Sequence, residues 1–397
     1  MRVAVLGAGY AGLTLARRLE RTLPATADLV VVDEARDHLV QHELHRVVRR
    51  PSLADEITVD LHEVLDCTVR RATVSGVDAD AGVATLGAGD GEERLDFDVG
   101  AVCLGAETAF FDVPGLRSHA TPLKRLDHAT RIREDFLALG DGDRVVVGGA
   151  GLSGVQVAGE LAALAREESM DVEVLLLEQE GHVAPTFAES FQRAVRDALV
   201  GQGVTVRTGA RVTGTDADVV RLDDDEVAHD QLVWTGGITG AEAMAGDRPV
   251  VRADLRLGER TFAVGDAARI VDADGEAVPA SAAAAIREAR VAGRNVVALV
   301  EHLTDGDGGF EPRLDRYRFD VPGWLVSVGD DAVAKVGPTV VTGRPALALK
   351  TTVGAGYLGT VGAIENATDL VREELGVPDE SVEAAADDIV DVSETEK

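Results

Sequence analysis

Lysine is almost missing from this 397-residue chain: Lys124, Lys335, Lys350 and Lys397 are its only four, and 70 acidic residues face 39 basic ones for a formal net charge of −31. No basic stripe is present, which excludes nucleic acid as a partner, because binding a polyanion requires clustered cations that displace counterions. So acidic a surface suits a salt-rich cytoplasm, where repulsion among the carboxylates is screened over roughly 3 Å at 1 M salt. Cysteine is equally scarce. Cys67 and Cys103 form neither a CxxC nor a CxxxxC pair, so neither a disulfide framework nor a redox dithiol is expected. No apolar run approaches the roughly 20 residues that span a bilayer. The nearest, Thr351 to Ile364, is glycine-rich and flanked by Lys350 and Glu365, and at most touches a membrane surface. The N-terminus, Met1-Arg2-Val3-Ala4-Val5-Leu6, enters a strand at once without a signal-peptide pattern, so a cytoplasmic location is expected.

What is present is a repeat. A strand, a glycine-rich turn, a helix and a second strand occur near residue 1 and again near residue 144. In the first copy Val3 to Leu6 is a continuous apolar run, Leu13, Leu15, Ala16 and Leu19 form a helical stripe, and Leu29 to Val32 is the next strand. In the second, Arg144 to Val147 leads into a turn, a helix from Val155 to Ala165, and a strand from Val172 to Leu177. Continuous apolar strands of this kind belong to parallel sheets covered on both faces.

The turns carry the chemistry. Gly7-Ala8-Gly9-Tyr10-Ala11-Gly12 is a GxGxxG element between a strand and a helix: Gly7 permits the tight turn, Gly9 lets backbone approach a diphosphate, and Gly12 lets helix pack on strand. The helix N-terminus offers its N–H groups to the anion. Asp33, 21 residues beyond Gly12, is placed to accept ribose hydroxyls, with Glu34 beside it as an alternative. Gly149, Gly151 and Gly154 repeat the pattern. Glu178, 24 residues beyond Gly154, favours NADH over NADPH, since a 2'-phosphate would meet a negative charge. Downstream, Thr261-Phe262-Ala263-Val264-Gly265-Asp266 places an aspartate just past a strand and a glycine, suited to a ribityl hydroxyl.

These elements predict an α/β fold of two Rossmann-like dinucleotide-binding domains with a small C-terminal α+β module. The expected boundaries are 1–112 plus 228–306 for the first domain, 113–227 for the second, 307–372 for the module and 373–397 for an acidic tail. Leu232 to Trp234 and Thr261 to Val264 read as strands returning to the first domain's sheet, and Ser281 to Leu303 as a long helix.

The Gly265-Asp266 element resembles the second FAD motif of flavoproteins with two dinucleotide domains, and Val102-Cys103-Leu104-Gly105-Ala106 resembles their short strand-and-glycine motif. Within that superfamily the chain resembles the type II NADH dehydrogenases, in a haloarchaeal form, from residue 1 to about 365. The stretches that carry the likeness are Val32 to Gln41, Leu104 to Leu116, Val147 to Leu161, Trp234-Thr235-Gly236-Gly237, the Gly265-Asp266 element, Gly323-Trp324 and Ala346 to Leu358. The resemblance implies FAD at Gly7, Gly9, Gly12, Asp33, Glu34, Gly105, Gly265, Asp266 and Ala283, and NADH at Gly149, Gly151, Gly154 and Glu178. It further implies hydride transfer to the flavin, electron delivery to a quinone without proton pumping, and a peripheral position at the inner face of the membrane. Departures fall on the quinone side. Gln156, the candidate catalytic residue, stands where the family often has Glu; Ala282 to Glu288 replaces a glutamine-rich signature; and the C-terminus is acidic where lipid-docking basic helices would be expected.

The frame also admits a reductase of a small redox protein or of oxygen, and, in another class, a flavin module that senses NADH but turns over poorly. A sulfide:quinone oxidoreductase would need cysteines near the flavin. Cys103 reads as a small buried residue. His38, His42 and His45 have helical spacing without an accompanying zinc pattern, and Asp223 to Glu226 reads as a solvated turn, not a calcium loop.

Overall fold

The computed structural model describes residues 1–88, 91–305 and 310–375, so the acidic tail beyond residue 375 lies outside the described residues. The elements that position the site are β1 (Arg2–Leu6), α1 (Tyr10–Thr22), β2 (Asp28–Asp33), β3 (Arg144–Gly148), α2 (Leu152–Glu168), β4 (Glu173–Glu178), α3 (Ala282–Asp305) and α4 (Arg344–Thr360).

The chain forms two compact units. The first contains Met1–Leu39, Thr58–Glu107 and Thr239–Val321. Its sheet runs Thr261–Ala263, Val99–Val102, β1, β2, Thr68–Arg71, every neighbour parallel. Val3 to Leu6 are essentially fully buried, as expected of central strands covered by helices. α1 buries Ala11, Leu13, Leu15, Ala16 and Leu19 and packs along α3. The strands Thr73–Asp78, Val83–Ala88 and Gly91–Asp96 add an antiparallel meander.

The second unit contains Val40–Ile57, Thr108–Ile238 and the chain from Pro322 onward. Its sheet repeats the first: Thr121–Pro122, Gln231–Trp234, β3, β4, Thr205–Thr208, again all parallel. It too carries an antiparallel meander, Val212–Thr215, Val219–Leu222 and Glu226–Ala228. The duplication is thus deeper than the glycine turns. One expectation is corrected here. Leu232 to Trp234 does not return to the first sheet; it pairs with β3, from Val145↔Gln231 to Gly148↔Trp234. All four residues of Gln231–Trp234 are buried, and the place between Thr121–Pro122 and β3 satisfies the strand's backbone on both edges. The chain therefore leaves the second unit near residue 238 instead of 228, having entered it at Thr108 instead of 113, and residues 40–57 also belong to it.

The C-terminal strands Gly323–Val328, Asp331–Val336 and Thr339–Thr342 form an antiparallel sheet under α4, around a small core of Ala332, Ala334 and Ala346. It presses on α2 at Gly159, where an added Cβ would lie 2.7 Å from the Val328 carbonyl carbon. Among the described residues no helix is long and apolar enough to cross a membrane.

Candidate functional site

In the first unit β1 ends at Leu6 and the chain turns at Gly7, whose φ of +99° lies in the region that L side chains avoid. The Gly7 N–H donates to Val32 O at 2.7 Å. Gly12 packs so tightly that an added Cβ would overlap the Gly7 carbonyl oxygen. Gly9, the N-cap of α1, behaves oppositely: no side chain caps the helix, and an added Cβ would meet nothing within 4 Å. The helix N-terminus thus opens onto empty space, with N–H groups available to an anion.

Asp33 bolts this turn in place. Its Oδ2 accepts the Ala8 N–H at 2.6 Å and its Oδ1 accepts the Ala35 N–H at 2.8 Å. Glu34 beside it is exposed. His38 adds a second brace: its buried Nδ1 lies 3.0 Å from Ala8 O, and its ring meets Tyr10 edge-on at 5.3 Å. It sits in the strand Asp37–Leu39, whereas His42 lies in a 3₁₀ turn and His45 in a helix, so the helical spacing of the three histidines is not realised. Gly105, at φ +68°, has open space where a Cβ would be. Cys103 is free and buried, and burial pushes its thiol far up, which denies it a thiolate role.

Gly265 and Asp266 form a short 3₁₀ turn after the strand Thr261–Ala263. Sequence reasoning missed its main support, Glu288 of α3, which is 1% exposed and accepts the Gly265 N–H on Oε2 at 2.7 Å. Arg248 donates to the carbonyl oxygens of Asp266 and Ala268. Ser281 caps α3 by accepting the Ala284 N–H at 3.2 Å, so Ala283 stands half-buried in the first turn of that helix.

The second unit reproduces the first turn bond for bond. Gly149 (φ +94°) donates to Leu177 O at 2.8 Å. Glu178, buried at the end of β4, accepts Ala150 N–H on Oε2 at 2.7 Å and Glu180 N–H on Oε1 at 2.9 Å. Gly151, the uncapped N-cap of α2, is open, and Gly154 is closed against Gly149. Thr235 locks this turn further, its hydroxyl within 3.0 Å of Gly148 O and 2.9 Å of Gly149 O.

One turn into α2, Gln156 reaches a buried polar cluster that no sequence spacing announced. Its Nε2 lies 3.4 Å from both His45 Nε2 and Ser327 Oγ, and those two are 2.7 Å apart. Burial and the neighbouring Lys350 push His45 well below the usual imidazole range, which keeps the ring neutral. Lys350 itself donates to Glu43 at 3.0 Å, both fully enclosed. Burial alone would raise Glu43, but Lys350, His42 and Arg46 overcome it and hold the carboxylate well below its ordinary range. Glu160, one turn beyond Gln156, is pushed up to about 7 by burial, against the pull of Lys350 and Arg49. Asp223 and Asp225 pair at the surface with Arg211 at 2.7 Å and Arg207 at 2.9 Å.

Comparison with known proteins agrees with this geometry. The chain is 26% identical over 373 residues to a demethylphylloquinone reductase of Synechocystis, covering 88% of this chain and 89% of that one. It is 24% identical over 400 residues to a type II NADH:quinone oxidoreductase of Staphylococcus aureus, covering 91% and 96%. The solved structure of NDH2 from Plasmodium falciparum in complex with NADH superposes with a TM-score of 0.79 at 14% identity, over 94% of this chain and 97% of that one, which shows the shared fold. Residues 1–289 match the model of one family, and the chain accordingly belongs to the pyridine nucleotide-disulphide oxidoreductases.

Proposed function

We propose that this oxidoreductase takes electrons from NADH through FAD and delivers them to a quinone, as a type II NADH:quinone oxidoreductase. The observation that carries the reading is the pair of matching glycine turns, of which, among the described residues, the first alone shares its parallel sheet with a strand, Thr261–Ala263, that runs into a Gly–Asp turn, Gly265–Asp266. That asymmetry favours FAD at Gly7, Gly9, Gly12, Asp33 and Asp266, with Gly105 and Ala283 alongside, and NADH at Gly149, Gly151, Gly154 and Glu178. Open space at Gly9 and Gly151 beside uncapped helix termini fits a diphosphate at each. When bound, the flavin supplies the two-electron chemistry. The chain's own residues bind and orient: the helix termini take the diphosphates, and Asp33 and Glu178 take ribose hydroxyls while holding the turns. Glu178 favours NADH, since a carboxylate oxygen accepts two hydrogen bonds but repels a 2'-phosphate.

The chain's two cysteines, Cys67 and Cys103, lie far apart in sequence without a CxxC or CxxxxC spacing, and burial pushes both thiols up, which favours an acceptor other than a disulfide. The names of the relatives favour a quinone. A position against the inner face of the cell membrane is supported by α4, whose exposed side presents Pro345, Ala348, Leu349, Thr352 and Val353 without an acidic residue, on a chain that carries −31 overall. The test is anaerobic mixing in high salt: NADH should bleach the flavin, a menaquinone analogue should restore it, and ferredoxin should not. Absence of bleaching by NADH and NADPH alike would overturn the reading.

A further inference from the structure

Among the buried ionisable groups of the first unit, Glu288 has no place in the binding scheme above. It lies on α3, within the stripe Ala284, Ala285, Glu288, Ala289 and Ala292 that faces the interior, where a carboxyl group is costly unless it holds something. What it holds is the Gly265 N–H, at 2.7 Å. Gly265 sits at φ +71° in a slot so narrow that an added Cβ would lie 3.2 Å from Ala11 Cβ of α1 and 3.3 Å from Ala285 Cβ of α3. The turn therefore cannot slide toward either helix. Its remaining freedom, rotation of the Gly265 peptide, is fixed by Glu288 from one side and by Arg248 on the Asp266 and Ala268 carbonyls from the other. These groups line one small cleft with Ser281 and Ala284 at the N-terminus of α3.

Resting on the assignment of FAD to this unit, we propose that Glu288 is a positioning residue of the flavin site: its carboxyl fixes the Gly265–Asp266 turn so that Asp266 meets the ribityl chain. The groups facing it are few. Asp266 and Arg248 face it from the turn and its flank, the Cys103 thiol and the Tyr317 hydroxyl feel its charge, and Arg287 is its neighbour on the same helix. The Tyr317 hydroxyl is buried without a hydrogen-bond partner among the described residues. On α1 the nearby cation is Arg18, which packs at Gly293, beyond the next turn of α3. Burial pushes Glu288 up to about 7, Asp266 adding to the rise while the Gly265 N–H and Arg248 oppose it. Below about pH 7 the carboxyl is neutral and still accepts through its carbonyl oxygen. Above it, a second negative charge appears beside Asp266, and an anionic dinucleotide is held less well.

The test strips the full chain of flavin in high salt and titrates FAD back by flavin fluorescence from pH 5.5 to 9. The wild type should lose affinity above about pH 7, by up to tenfold per unit. Glu288→Gln, which keeps an acceptor oxygen without a proton to lose, should bind within about threefold of wild type at pH 6 and show no such decline. Glu288→Ala should bind about tenfold more weakly at pH 6, the cost of one hydrogen bond. A wild type that takes up no FAD would sink the flavin assignment itself. If wild type and Glu288→Gln decline in parallel with pH, or Glu288→Ala binds as tightly as wild type, the role of Glu288 is overturned and the flavin assignment stands. The parallel-decline arm remains decisive if the alanine variant does not fold.

Discussion

One methyl group added at Gly9 and the same group added at Gly12 should have opposite effects, and the contrast separates binding from folding within one turn. At Gly9 the backbone (φ −67°, ψ −163°) suits any L residue, and the new Cβ meets nothing within 4 Å. Loss of the glycine N-cap costs a few tenths to about 1 kcal/mol, and reduced freedom of the unfolded chain returns about 0.4–1 kcal/mol. Flavin-free Gly9→Ala should therefore melt within a few degrees of wild type. The empty space is what a diphosphate needs, however. Displacing it by the radius of a methyl group breaks one or two charge-assisted bonds from the helix N–H groups, about 1.5–3 kcal/mol each, so FAD affinity should drop about tenfold or more. At Gly12 the new Cβ overlaps Gly7 O and stands 2.8 Å from Gly7 C and 3.3 Å from Cys103 Cβ. Strand and helix must part, costing about 3 kcal/mol. At about 2–4 °C per kcal/mol, flavin-free Gly12→Ala should melt roughly 6 °C or more below wild type. Thermal melts of stripped protein and fluorescence titrations with FAD measure both. A Gly9→Ala variant with wild-type affinity, or a Gly12→Ala variant with a wild-type melt, would refute the steric argument.

Three further outcomes are expected. Glu178→Gln keeps an acceptor for Ala150 N–H but removes the charge, so kcat/KM with NADPH should rise about tenfold relative to NADH; an unchanged ratio would mean that Glu178 does not read the 2' position. Lys350→Met leaves the Glu43 carboxylate buried without its ammonium, which should cost about 3–5 kcal/mol in urea unfolding, while the double variant Glu43→Leu/Lys350→Met should recover most of it. Glu43 is held below its unfolded value, so its contribution is present above the ordinary carboxylate range and disappears as pH falls; the single variant should lose the Lys350 share of this acid sensitivity, Arg46 and His42 keeping the rest. Glu160 behaves in reverse. Its folded pKa of about 7 exceeds the usual 4.5, so the folded state retains a proton that the unfolded state has released, and stability falls as pH rises between those values. Glu160→Gln should remove that decline, a gain on the order of 3 kcal/mol at pH 8, and equal slopes for both proteins between pH 5 and 7 would disprove it.

The difference between what the sequence discloses and what it conceals follows the range of the interactions. The glycine turns and the acids at Asp33 and Glu178 are legible because local geometry dictates them: a strand that must turn at once into a helix needs Gly7 and Gly12, and the next parallel strand ends beside the turn. That these acids also bind Ala8 and Ala150 is a consequence of the same closeness, and the repeated spacing was the available signal. The fate of Trp234 was not local. Its strand is short, buried and equally acceptable to either parallel sheet; pairing with β3 is decided by the chain between, where the Val212–Thr215 meander returns it to the second unit. The cluster of Glu43, His45, Gln156, Ser327 and Lys350 draws on three distant stretches of chain, so no periodicity could reveal it, although a lysine in an otherwise uncharged apolar run is a hint on a chain that has only four. Glu288 was the readable omission. It falls at the i+3 and i+4 positions of a stripe of alanines, and an acid on the apolar face of a helix is either an error of pattern or a group with a partner to hold.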